Sequence, residues 1–213
     1  MLGKLAGCDT ALAAYALARV LDGRPVGSEE FDLLRYANAS RITSKSYFDG
    51  RCNVRTDRTI GKSGTNAWRM KSAVNIVLKQ VGESGITGLK ITPAVLAGVL
   101  ACYRSGACTE QALVSAFVCA RKIASDEIVI LRRNELQDHC WVVIKNIKAN
   151  LSVVCDPWCD GPAIATEDSR YELAQGSITD LVITAENASR EVLGLQAKLS
   201  ESGVESLTAD NCR

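Results

Sequence analysis

At 213 residues, with 47% hydrophobic and 23% charged residues, the chain has the make-up of one globular domain with a core of its own. A formal net charge of +1 offers no electrostatic case for a nucleic-acid partner or an anionic membrane. Nine cysteines, an odd number at irregular spacing and without a CxxC pair, argue against a disulfide framework and for free thiols in a reducing compartment.

In chain order, "LAGC" at residues 5–8 has the letters of a lipoprotein cleavage box. Residues 1–4 are too short a lead for a signal peptidase, so the expectation is an ordinary helix over residues 11–21. Asp9 or Thr10 can cap that helix, and "DGRP" ends it. No run reaches the roughly eighteen uncharged apolar residues of a membrane span. Position 2 is Leu rather than Gly, so myristoylation is not expected. Residues 23–66 are polar and rich in Gly, Ser and Arg, and read as loops with short irregular pieces. "GKS" at 61–63 fails as a phosphate loop, because the upstream glycine it needs would fall at Thr56. Lys62 then reads as a solvated surface residue.

Residues 67–81, "AWRMKSAVNIVLKQV", show a mixed helical pattern stopped by "GESG". Thr92 and Pro93 open a further helix that Gly106 ends. The next helix, "CTEQALVSAFVCARK", puts Ala112, Leu113, Ala116, Phe117 and Ala120 on one face. Then the pattern turns β-branched and short: "EIVILRR", "HCWVVIKNI" and "LSVVCDPW", separated by "NELQD" and "KAN". Strands joined by short turns are antiparallel, so the fold class expected is α+β, with a helical part packed on a small sheet. A strand at "DLVIT" and a helix near residues 188–199 complete the pattern, and the last ten residues read as frayed.

Three residues sit at transitions between these elements. Cys108 opens a helix, where the dipole and unpaired N–H groups favour the thiolate, the form that attacks. His139, the only histidine, starts a strand, and Asp156 ends the next one. If those two strands form a hairpin around "KAN", His139 and Asp156 are neighbours. A carboxylate can then orient an imidazole that serves a nucleophile.

Other residues compete for these roles. Asp138 lies beside His139, but adjacent strand residues face opposite ways. Cys102 reads as core, and Cys119 shares the Cys108 helix but lies eleven residues on, with no helix terminus to activate it. Cys140 and Cys155 alternate with the site residues and are expected on the opposite side of the sheet. Cys159 follows Asp156 by three residues in a loop and can approach the cleft. One histidine and Cys155-x-x-x-Cys159 give a zinc site no spacing support, so neither metal nor cofactor is expected. The backbone N–H of Cys108 is the natural oxyanion donor. Gln111 and Trp68 are the side-chain alternatives, and Trp141 and Trp158 read as walls.

"SGACTEQALVSAFVCARK", "DHCWVVI" and "VVCDPW" resemble the transglutaminase-like branch of the papain-like superfamily. The matching positions are Gly106, Cys108, Ala112, His139, Trp141, Asp156 and Pro157. The resemblance covers about residues 100–170. The extension "DPWCDGPAIATEDSRY" resembles bacterial type III effectors of the AvrPphE/HopX kind. The resemblance implies a papain/transglutaminase-like fold and one catalytic domain over 1–213. That domain divides into a helical and loop part (1–90), a core (91–185) and a C-terminal helix and tail (186–213). It implies Cys108 as nucleophile, His139 as base and then acid, and Asp156 as orienting carboxylate. The activity implied is on protein amides through a thioester: proteolysis, glutamine deamidation or transamidation. The implied substrate is a host protein, met in the host cytoplasm after secretion without a signal peptide. Arylamine acyltransferase-like and peptide N-glycanase-like activities share the triad. An inactive binding module on the same fold is the non-enzymatic alternative.

Overall fold

The computed structural model describes residues 9–49, 72 and 92–190. It begins with helix α1 (Thr10–Leu21), which starts where the Asp9 carboxylate accepts from the N–H groups of Ala11 at 2.9 Å and Leu12 at 3.2 Å. It stops before Gly23, whose φ of +73° suits a residue without a side chain.

Helix α2 (Ser28–Ser46) overturns part of the loop expected over 23–66. Its first half buries Phe31, Leu34 and Ala37. The same stripe then continues through buried Asn38, Arg41 and Ser44. A buried face that turns polar halfway hides its period from any reading based on hydrophobicity. Glu30 accepts from the Gly27 N–H at 3.4 Å and steadies the start.

Helices α3 (Pro93–Tyr103) and α4 (Cys108–Ala120) start where the sequence puts them, but α3 stops at Tyr103 with Arg104, at φ +54°, as the left-handed residue in place of the expected Gly106. The described strands form one antiparallel five-stranded sheet in the order β4-β3-β2-β1-β5. They are β1 (Glu127–Asn134), β2 (His139–Asn146), β3 (Leu151–Cys155), β4 (Ile164–Ala165) and β5 (Ser177–Thr184). β3 ends at Cys155, one residue before the expected end at Asp156, because the chain turns at Asp156-Pro157. The turn at 147–150 uses Asn146, whose side chain accepts from the Ala149 N–H at 2.8 Å, and Asn150, with φ +52°.

Central strand β2 is buried on both faces, which explains its unbroken apolar run. On one face Cys140, Val142 and Ile144 join Val153 and Cys155 of β3 beneath α4. On the other, Trp141, Val143 and Val154 are covered by Ile130, Ile164 and Tyr171. The architecture is therefore α+β, with α4 on one face of the sheet and the segment 166–176 across the other. Helix continues from 185 to 190; the rest of the helix expected to 199 lies outside the described residues, as do Trp68, Lys62 and all of the helix expected over 67–81 except residue 72. Among the described residues no helix is long and apolar enough to cross a membrane.

Candidate cysteine–histidine–aspartate site

Cys108 is the first residue of α4 and is half-buried. The loop before it is built for close approach. A Cβ on Gly106 would meet the Glu110 Cβ at 2.7 Å and the Phe48 ring at 3.1 Å. Glu110 accepts from the Ala107 N–H at 2.9 Å, and Gln111 donates its amide to the Gly106 carbonyl at 3.2 Å. Gln111 is buried and braces this loop from within the helix.

His139 opens β2 after a tight turn in which Asp138 adopts φ +46°. The Asp138 side chain is exposed, and its backbone carbonyl lies 3.7 Å from the Cys108 sulfur. As a thiol, Cys108 can donate there. Asp138 thus meets the site through its main chain and not through its carboxylate.

Asp156 follows β3 directly. β2 and β3 pair with Val142 opposite Cys155, so the start of one lies beside the end of the other. The His139 Nε2 and the Asp156 Oδ2 are 2.7 Å apart, with the residues only 5% and 7% exposed. The other carboxylate oxygen accepts from the N–H groups of Trp158 at 3.0 Å and Cys159 at 3.4 Å. The Cys159 thiol donates to Oδ2 at 3.0 Å. Four donors thus hold this carboxylate, and a buried charge needs that many partners. The Cys159 carbonyl is itself held, by Lys45 at 3.0 Å and Arg41 at 3.4 Å from α2.

The electrostatics favour an ion pair. Cys108 is lowered from the ordinary 9.0 to about 4. Its largest cause is a hydrogen bond from the Cys140 thiol; burial opposes it, and the His139 imidazole adds both a hydrogen bond and charge. Cys140 keeps its proton and is correspondingly raised. Burial pushes His139 down, but hydrogen bonds to Asp156, Cys108 and Cys159 outweigh it and raise the imidazole from 6.5 to about 12. Burial raises the Cys159 thiol, and Asp156 adds to the rise. The arrangement can therefore hold a thiolate beside an imidazolium, with a carboxylate behind it.

The structure brings together His139 and Asp156 as the hairpin predicts, and Cys108 reaches the same end of the sheet from α4. Cys140 and Cys155 do face away from His139, as alternation predicts. That opposite face is the α4 side, however, so Cys140 meets Cys108 and its neighbour Thr109, whose hydroxyl lies 3.3 Å from the Cys140 sulfur. Cys155 packs deeper, with its sulfur 3.7 Å from that of Cys119. Cys140 is the contact the strand pattern alone did not deliver, because alternation says which face but not what covers it. Cys159 does approach the cleft, on the Asp156 side. The donor atoms of His139, Asp156 and Cys159 lie within 4.8 Å of one another, and these are types that can hold a transition metal ion. In the present arrangement hydrogen bonds join them. Tyr171 was not singled out by sequence; its ring centroid lies 4.2 Å from that of His139.

No family model, curated protein or solved structure matches this chain.

Proposed function

We propose that the chain is a cysteine-nucleophile enzyme that acts on protein amide bonds through Cys108, His139 and Asp156. One observation carries the reading: a buried imidazole, bound at 2.7 Å to a buried carboxylate, meets a thiol at the head of a helix. In this reading the Cys108 thiolate attacks the amide carbonyl carbon, and the oxygen becomes an oxyanion facing the helix N-terminus. The carbon–nitrogen bond then breaks. The His139 imidazolium gives its proton to the leaving amine, and a thioester remains on Cys108. His139, now neutral, takes a proton from water or from an incoming amine, which attacks the thioester and frees Cys108. Asp156 holds the imidazole throughout.

Water completes proteolysis or glutamine deamidation, and an amine completes transamidation. All three need the same triad, so the reading covers the thiol-dependent hydrolase and acyltransferase class. The papain/transglutaminase-like assignment is supported by the order helix-borne Cys, strand-borne His, strand-end Asp. The likeness of residues 156–171 to type III effectors extends the proposal to a host protein as substrate.

The test is labelling with limiting iodoacetamide at neutral pH, read by intact mass and peptide mapping. The reading predicts one fast adduct on Cys108, slowed in His139→Ala. Labelling scattered over the cysteines, or centred on Cys159, contradicts it.

A further inference from the structure

Segment 166–176 runs across the outer face of the sheet and is tied down on both sides of Tyr171. Before Tyr171, Asp168 accepts from the Tyr15 hydroxyl at 2.6 Å, from Arg24 at 2.5 Å and from Arg19 at 3.3 Å. After it, Glu172 accepts from the Trp141 indole N–H at 3.0 Å and from Arg132 at 3.3 Å. The Tyr171 carbonyl accepts from the Ser177 hydroxyl at 3.0 Å. A side chain between two such anchors has little freedom to leave.

That side chain lies on the imidazole. The Tyr171 and His139 ring centroids are 4.2 Å apart with planes 37° from parallel. The Trp141 ring stacks on Tyr171 at 5.6 Å. Arg170 also lies over the Tyr171 ring, with its guanidinium 4.6 Å from the ring centroid and a hydrogen bond of 2.6 Å to the hydroxyl. The groups that face His139 are thus Asp156 and Cys159 from the segment after β3, Cys108 from α4, and the Tyr171 ring, which Arg170 also touches. Hydrogen bonds set where the imidazole nitrogens point. Among the described residues, the Tyr171 and Trp141 rings stack against the imidazole and bear on the plane in which it lies.

We propose that Tyr171 is a positioning residue for His139, whose ring fixes the imidazole plane so that one nitrogen meets Asp156 while the other faces Cys108. An aromatic face favours a cation above it, so the contact also stabilises the protonated imidazole. The consequence for Cys108 rests on the cysteine-nucleophile reading; the ring contact does not.

The experiment compares Tyr171→Phe, Tyr171→Leu and Tyr171→Ala in the full chain, with two readouts. The first is the NMR signal of the single histidine, which the Tyr171 ring current shifts. The second is the rate of Cys108 alkylation at about pH 6. Tyr171→Phe is expected to keep the signal position and alkylate within about twofold of wild type. Tyr171→Leu and Tyr171→Ala are expected to move the signal, lower the His139 midpoint and slow alkylation about three- to tenfold, the range of an aromatic contact. Wild-type behaviour in Leu and Ala overturns the proposal. Unfolding of Tyr171→Leu, which keeps an apolar side chain there, also overturns it by making Tyr171 a core residue. If wild-type labelling is not selective for Cys108 but the histidine signal responds as expected, the enzyme reading fails and the positioning role stands.

Discussion

His139 and Asp156, seventeen residues apart in the chain, meet at 2.7 Å through a hairpin whose register leaves both at one end of the sheet. The contact is buried, so it is worth more than an exposed pair. Asp138, one residue from His139, has its side chain in solvent. Asp156→Asn is therefore expected to cut turnover on the order of 10³-fold or more, because the amide no longer stabilises an imidazolium. Asp138→Asn is expected to leave turnover within about twofold, since only its main chain touches the site. Alkylation rates of Cys108 in the two variants check the pair before any substrate is known.

Gly106 is required by space. A methyl there would sit 2.7 Å from Glu110 Cβ in the first turn of α4. Gly106→Ala is expected to destabilise the protein by about 1–3 kcal/mol, the usual cost of overpacking. It is also expected to slow Cys108 alkylation, because the helix start must shift. Denaturant unfolding together with a labelling rate separates the two effects.

Arg19 is buried in α1 between Glu30 at 3.2 Å, Glu167 at 2.7 Å and Asp168 at 3.3 Å. Arg19→Ala leaves the largely buried Asp168 with one fewer cation. The expected loss is about 3 kcal/mol, the scale for breaking a buried pair from one side. Arg24, which is exposed, pairs with the same Asp168, and Arg24→Ala is expected to shift the midpoint far less, because water screens that pair. Urea midpoints of the two variants check the difference.

The ion pair also fixes how stability follows pH. Cys108 is lowered from 9.0 to about 4 on folding, so its contribution is full above pH 9.0 and is lost as pH falls toward 4. His139 is raised from 6.5 to about 12, so its contribution is full below pH 6.5 and is lost as pH rises toward 12. The two slopes cancel between 6.5 and 9.0. Thermal unfolding should show a plateau over that window, with losses on either side. Cys108→Ala is expected to remove the Cys108 part of the acid-side loss and leave a decline that begins near 6.5.

The local signals proved sufficient for α1, α3, α4 and the strands, because caps, Pro93 and β-branched runs act over a few residues. Short turns also fixed the β2–β3 hairpin, and with it the approach of His139 to Asp156. α2 was missed because Asn38, Arg41 and Ser44 are buried by tertiary neighbours: the Ala163 N–H reaches the Asn38 side chain, and Arg41 reaches the Cys159 carbonyl. Nothing local marks a polar residue as buried. The Cys140 contact and the Tyr171 cover depend in the same way on what packs on each face of the sheet.

The most direct measurement is an NMR pH titration of His139, the sole histidine, in wild type and Cys108→Ala. A thiolate–imidazolium pair predicts that wild-type His139 stays protonated well above pH 6.5, and that its midpoint falls when the thiolate is removed. A wild-type midpoint near 6.5, unchanged in Cys108→Ala, contradicts the pair and with it the cysteine-nucleophile reading.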